Sequence, residues 1–552
     1  MKLRITALLS FLAGSFIGTA QTVSSDFQAI GLPSAGIFST TVPGSNITYN
    51  GVVKAIIAET FDGQPIDFDG DGNREVVMQF IGSATPMQAQ TRVFIYEAEG
   101  NNNYALRADY LIADGQNAGY DGNAAEYHIR GLDVGDLDGN AATIEIAVGA
   151  GGLPNGTDND LVANDGNFHL NILSVSTTFA VSKLANRLIY GRGSNPAKNN
   201  AGHRGATVDI KIVPSKQGTA NNDIILGGVF NNYSDHAVMA WEYNGTSIVK
   251  VGNSISEPQG IHVFETGDFD NDGDIEIIYW PQGASLRISE YTASGFSAAE
   301  RTQAFDNTSL TYVYQILKTD LDSDGFQEIL ISNIGSVNPQ TGSIGILKAT
   351  GANTYSWNSI AIANSRIGCL AVADMDRDGL KEIVYNRNTD LLVAEHDGSA
   401  GINAVNFNFP GTAILTNFFF STGTGGLPTG GTTDLNFQRL RSSARAIRVI
   451  DNFDGDNNSN LFVAGGRHQT NPGFEYNELF FLEATRDFTG GNGFGTFGTT
   501  PTAIPAGNYD VVRAGAATTL AADATINGYV TGAVGSAINT GAFTLTLDAT
   551  ST

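Results

Sequence analysis

The chain has 552 residues, 56 of them acidic and 30 basic, and its formal charge of −26 makes nucleic acid or an anionic bilayer a poor partner for the surface as a whole. Its single cysteine, Cys369, excludes an internal disulfide, and the flanks Ile367-Gly368 and Leu370-Ala371-Val372 predict a buried thiol in an inner strand. Stability then has to come from core packing and from bound ions.

At the N-terminus, Lys2 and Arg4 precede an apolar stretch from Ile5 to Gly18, and Gly18-Thr19-Ala20 supplies a small-x-small step before Gln21. Residues 1–20 are expected to be a secretory signal peptide, too short to span a bilayer. No later run approaches 18 uninterrupted apolar residues, so there is no expected transmembrane segment, and a secreted or cell-surface location follows. Residues 21–49 form a separate N-terminal segment.

From residue 50 to 490 one acidic loop recurs seven times. Asp67, Asp69 and Asp71 stand at loop positions 1, 3 and 5, with Asn73 at 7 and Glu75 at 9. The same pattern gives Asp268, Asp270, Asp272 and Glu276; Asp320, Asp322, Asp324 and Glu328; and Asp374, Asp376, Asp378 and Glu382. Asp136, Asp138 and Asn140 reach Glu145 with one extra residue, while Asn452, Asp454 and Asp456 end on Asn460 and trade two carboxylates for amides. The third copy, Ser215 to Asp223, keeps the length, Gly218 and the last acid, and is expected to hold its shape without an ion.

Oxygens at positions 1, 3, 5 and 9, with a backbone carbonyl near 7, suit a hard cation. Ca²⁺ accepts six to eight such ligands at about 2.3–2.6 Å, whereas Mg²⁺ demands a stricter octahedron. No thiolate or recurring imidazole joins the clusters, which argues against zinc or copper. Four to six Ca²⁺ sites are expected. An EF-hand would need Glu at position 12 between two helices, yet Tyr279, Ile331 and Tyr385 stand there, inside short β-branched runs.

First positions fall at 67, 136, 215, 268, 320, 374 and 452, a period of about 50 residues with insertions, which suits four-stranded propeller blades. In the fourth unit Ile261 to Thr266, Ile275 to Trp280, Leu286 to Tyr291 and the stretch near Phe296 to Gln303 are the four expected strands. The loops resemble the FG-GAP or VCBS repeat, also seen in the integrin α-subunit. That resemblance implies an all-β fold, a seven-bladed β-propeller of four-stranded antiparallel blades, with calcium loops on one face and ligands on the other. Closure calls for a strand borrowed from the other end of the chain, and Phe27 to Thr41 is the expected donor.

Residues 491–508 read as a Gly/Thr/Pro linker. In 509–552 the string Ala524 to Val530 is echoed by Ala537 to Leu545, as in a β-solenoid stalk that would continue past Thr552 and attach the protein to a surface; a low-complexity tail is the alternative.

Opposite the calcium loops, the strand ends carry His128, Arg130, His203, Arg204, His262, Arg366, Arg441 and Arg445, and the turns after the second strands add Trp280, Arg387 and the pair Arg467 and His468. One reading is a surface for an extracellular glycan or protein ligand, with Arg forks for anions and Trp280 as a stacking platform. A second is a polysaccharide lyase with Tyr312 or Tyr314 near a funnel site. A third is ordinary polar lining of a channel. The chain has no G-x-S-x-G elbow, no H-E-x-x-H and no paired carboxylates outside the loops, so a non-catalytic adhesion or recognition module is the expectation.

Overall fold

The computed structural model describes residues 22–23, 27–29, 50–83, 90–100, 103–112, 131–140, 143–151, 168–190, 208–216, 222–229, 236–257, 261–281, 285–297, 313–322, 324–337, 340–363, 367–375, 380–387, 390–396, 402, 406–407, 409, 412–416, 444–454, 459–468, 475–484, 487–488, 503–504, 507–514, 518–520, 523–532, 538–542 and 544–547. Among them there is no α-helix, and so none long and apolar enough to cross a membrane. The expected signal peptide, Ile30 to Thr41 and most of the 491–508 linker lie outside the described residues.

Two short strands come first, β1 (Thr22–Val23) and β2 (Phe27–Ala29). The first blade is β3 (Asn50–Ile57), β4 (Glu75–Ser83), β5 (Gln90–Ala98) and β6 (Tyr104–Leu111). The second is β7 (Leu132–Gly135), β8 (Glu145–Gly151), β9 (Phe168–Val175) and β10 (Val181–Tyr190). The third is β11 (Val208–Pro214), β12 (Asn222–Val229), β13 (His236–Tyr243) and β14 (Ile248–Glu257). The fourth is β15 (Ile261–Gly267), β16 (Ile275–Pro281), β17 (Arg287–Thr292) and β18 (Gly295–Phe296). The fifth is β19 (Val313–Thr319), β20 (Glu328–Val337), β21 (Gln340–Gly351) and β22 (Thr354–Ala363).

Next come β23 (Ile367–Ala373), β24 (Glu382–Arg387), β25 (Asp390–Ala394) and β26 (Thr412–Thr416), and β1 adds antiparallel to β26 as a fifth strand. The last blade is β27 (Ala444–Asp451), β28 (Ser459–His468) and β29 (Glu475–Ala484), and β2 pairs with β29 as its outer strand. The fold is the expected all-β propeller, with six antiparallel four-stranded blades in the ring; the sheet beside the sixth loop has five strands, because β1 extends its outer edge. Inner strands pack in chain order, and β27 meets β3 to close the circle.

Burial explains the strand sequences. Ile275 to Pro281 in β16 is buried throughout, because a blade's second strand has sheets against both of its faces and loses the in-out alternation. The outer strand β14 mixes buried and exposed residues. Blades three and four approach closely where Phe264 lies over Gly227: a Cβ there would stand 2.4 Å from the ring. Cys369 is buried in β23, as expected.

The loops also fasten neighbouring blades. At the residue before the closing acid, Asn222 Nδ2 donates to the Asp136 carbonyl at 2.6 Å, Lys381 Nζ to the Asp320 carbonyl, and an Arg74 guanidinium nitrogen to the Asp451 carbonyl at 2.8 Å. The last of these joins the final blade to the first.

Beyond the ring lie β30 (Asp487–Phe488), β31 (Ala503–Ile504), β32 (Gly507–Ala514), β33 (Thr518–Leu520), β34 (Ala524–Gly532), β35 (Ile538–Asn539) and β36 (Leu545–Leu547). They alternate between two parallel sheets, β30-β32-β34-β36 and β31-β33-β35, so this part of the chain winds as a coil.

Candidate metal loops

Position 9 lies at the start of each blade's second strand, which sets its side chain beneath the loop. There it accepts a hydrogen bond from the backbone N–H of position 2. Phe68 donates to Glu75 Oε2 at 2.6 Å, Leu137 to Glu145 Oε2 at 2.9 Å and Phe269 to Glu276 Oε2 at 2.7 Å. Leu321 donates to Glu328 Oε2 at 2.7 Å, Met375 to Glu382 Oε2 at 2.5 Å and Phe453 to Asn460 Oδ1 at 3.0 Å. The third loop, which keeps only the last acid, has the same bond, Lys216 N–H to Asp223 Oδ2 at 3.1 Å. Position 9 is thus a fold device in all seven copies.

In loop five the other oxygen, Glu328 Oε1, makes no hydrogen bond, but the Lys348 ammonium stands 2.9 Å from it, whereas in loops one, two and four the other oxygen faces no cation among the described residues. Glu75, Glu145 and Glu276 are 0% exposed, and the Oε1 of each is buried with no hydrogen-bond partner among the described residues; Asp268 Oδ1 is in the same state. An unsatisfied buried acceptor costs about 1–3 kcal/mol, and more when charged. Burial above all pushes Glu276 up to about 9 and Glu75 up to about 8, with neighbouring aspartates adding to the push and the position 2 N–H opposing it. Burial likewise raises Glu145.

The aspartates are shaped by tight turns. Asp67 Oδ1 accepts from Gly70 N–H at 2.7 Å and Asp136 Oδ1 from Gly139 N–H at 2.7 Å. Gly70, Gly139 and Asn271, all at position 4, have φ of 74°, 84° and 59°, a region that glycine and asparagine tolerate. One oxygen from each of Asp67, Asp69 and Asp71 lies within 4.8 Å of the others; so do those of Asp136, Asp138 and Glu145, of Asp268, Asp270 and Glu276, and of Asp320, Asp322 and Glu328. Asp69 and Glu75 also share a cluster with Glu97. Asn73 turns its amide onto Asp71 Oδ2 at 2.8 Å. Asp376, Asp378 and Asp456 lie outside the described residues.

Loops one, two and four therefore fit a hard cation: their donors are all oxygen, and each buries an oxygen that nothing satisfies. Loop five does not. Lys348 Nζ stands 2.6 Å from Asp322 Oδ2, 2.6 Å from Asp324 Oδ2 and 2.9 Å from Glu328 Oε1. Loop three is completed by the Tyr291 hydroxyl, which donates to Asp223 Oδ2 at 2.7 Å.

The residue facing position 9 across the sheet was missed in the sequence. Register sets Glu97 across from Glu75, Ser174 from Glu145, Glu242 from Asp223, Glu290 from Glu276 and Glu483 from Asn460. Lys348, next to the Leu347 that pairs with Ile329, takes this place in blade five. Glu97 is neutralised by Arg107.

A charged channel was also missed. Asp133, Lys211, Glu265, Lys318 and Arg448, each embedded in the apolar run of an inner strand, line a cavity of about 430 Å³ with Phe61. Lys211 pairs with Glu265 at 2.8 Å, and Lys318 Nζ lies 4.1 Å from the Phe61 ring centroid. Burial lifts Asp133 to about 6, against the pull of Lys211.

On the opposite blade ends, His262 is the second residue of β15 and Arg445 the second of β27; Arg387 ends β24, and Arg467 and His468 end β28. Trp280 is 0% exposed inside the core and offers no ring face to solvent, which corrects its expected use as a stacking platform; the apolar strand that carries it is covered on both faces. Tyr314 is buried as well. His128, Arg130, His203, Arg204, Arg366, Arg441 and Tyr312 lie outside the described residues.

No protein-family model and no curated protein matches the chain. Among solved structures, "BBS1N in complex with ARL6DN, soaked with lead" aligns over 78% of this chain and 94% of its own at 11% identity and a TM-score of 0.38. Sqt1 from Chaetomium thermophilum aligns over 76% and 80% at 10% identity and a TM-score of 0.39.

Proposed function

We propose that the chain is an exported, calcium-binding β-propeller that serves as a non-catalytic adhesion or ligand-recognition module for extracellular glycan or protein. The observation that carries the calcium reading is the buried, unsatisfied Oε1 of Glu75, Glu145 and Glu276, each beside clustered aspartates. Ca²⁺ bound there would offset the mutual repulsion of these acids and link metal to folding by mass action. The donors from Asp67, Asp69, Asp71, Asp136, Asp138, Asp268 and Asp270 complete the sets.

The recognition reading is supported by the basic residues Arg387, Arg445 and Arg467 at the blade ends away from the acidic loops. A glycan array probed with calcium-loaded protein tests it: saturable binding without turnover is expected. Unsaturated uronate absorbance would replace it with a polysaccharide lyase, and silence on the array and against extracellular-matrix proteins would reduce the ring to a scaffold.

A further inference from the structure

Loop five carries Asp320, Asp322, Asp324 and Glu328 at the same spacings as loop four, yet its buried glutamate oxygen faces an ammonium. Lys348 Nζ donates to Asp322 Oδ2 and to Asp324 Oδ2 at 2.6 Å each, and its charge lies 2.9 Å from Glu328 Oε1 as an ion pair. The stem emerges from β21 directly across from position 9, a place given to glutamate in blades one, three, four and last. A second cation cannot share those oxygens: two positive charges that close repel strongly in a half-buried site.

We propose that Lys348 is a tethered cation that replaces the divalent ion of loop five, so that this loop is built without metal while loops one, two and four take Ca²⁺. The proposal rests on the calcium reading of those other loops.

Calcium content per folded chain, measured by emission spectroscopy after equilibrium dialysis, tests it in wild type, Lys348→Met, Asp322→Asn and Asp270→Asn, with circular dichroism reporting the fold. Lys348→Met keeps the apolar stem and removes the charge, and it is expected to gain one ion per chain. Asp322→Asn is expected to leave the wild-type count unchanged, and Asp270→Asn to lose one. If Lys348→Met fails to fold, Asp322→Asn decides alone. A wild type that binds calcium but loses one ion in Asp322→Asn, or a folded Lys348→Met with an unchanged count, overturns the Lys348 proposal only. A wild type that binds none overturns the calcium reading and this proposal with it.

Discussion

Loops four and five share four acids at identical spacings and differ in the residue across the sheet from position 9. Beside Glu276 stands Glu290, and beside Glu328 stands Lys348. In loop four burial and neighbouring aspartates raise Glu276 to about 9, and both Glu276 Oε1 and Asp268 Oδ1 are left without a donor. In loop five the hydrogen bond from Lys348 holds Asp324 below the usual carboxylate range, and its ammonium offsets part of the upward push of burial on Glu328. On the calcium reading proposed above, the third-strand residue is what separates loop four, with Glu290, from loop five, with Lys348.

The comparison breaks most directly by removing metal. Each site held at 100 times its Kd contributes about 2.7 kcal/mol, so excess chelator is expected to lower the thermal midpoint by several degrees or more. An unchanged midpoint would end the distinction between the loops. Next in size, Trp280→Ala is expected to cost about 3–5 kcal/mol in urea unfolding through its cavity. That loss should be the same with and without calcium, because the ring is core and not part of a loop.

Asp270→Asn, at a buried position that also accepts the Asn353 N–H at 2.5 Å, is expected to cost about 2–3 kcal/mol with calcium present and much less in chelator. Its counterpart Asp322→Asn, which loses a partly exposed lysine partner, is expected to cost under about 1 kcal/mol in either condition. Equal calcium dependence in the two would erase the contrast.

A separate effect lies outside both loops. Asp133 titrates at about 6 in the fold against 3.8 unfolded, so the native state holds its proton longer. Its contribution is present below pH 3.8 and is lost as pH rises through about 6. Asp133→Asn, which keeps an acceptor for the Ile212 N–H, should flatten that part of a stability–pH profile in chelator. A profile unchanged by the substitution would place the pH dependence elsewhere.

Much of this was legible in the residues. Strand runs such as Ile275 to Trp280, and acids at fixed spacing, gave the blades and the loops, because local β preference and loop geometry act within a few residues of each other. Lys348 was not legible as a loop residue: it reaches Glu328 through a hairpin whose length differs from blade to blade, so no fixed spacing marks it. The two-residue β1 carries no pattern at all, and its pairing with β26 depends on an edge built nearly 400 residues later. Trp280 reads as a turn residue only until the sheets on either side are in place.

An anomalous-scattering map from crystals grown in calcium would test the central claim most directly. The account predicts peaks about 2.3–2.6 Å from the Oε1 of Glu75, Glu145 and Glu276, and at loop five no peak, with Lys348 Nζ between Asp322, Asp324 and Glu328. Loops one, two and four without peaks, or an ion beside Glu328 with Lys348 swung away, would contradict it.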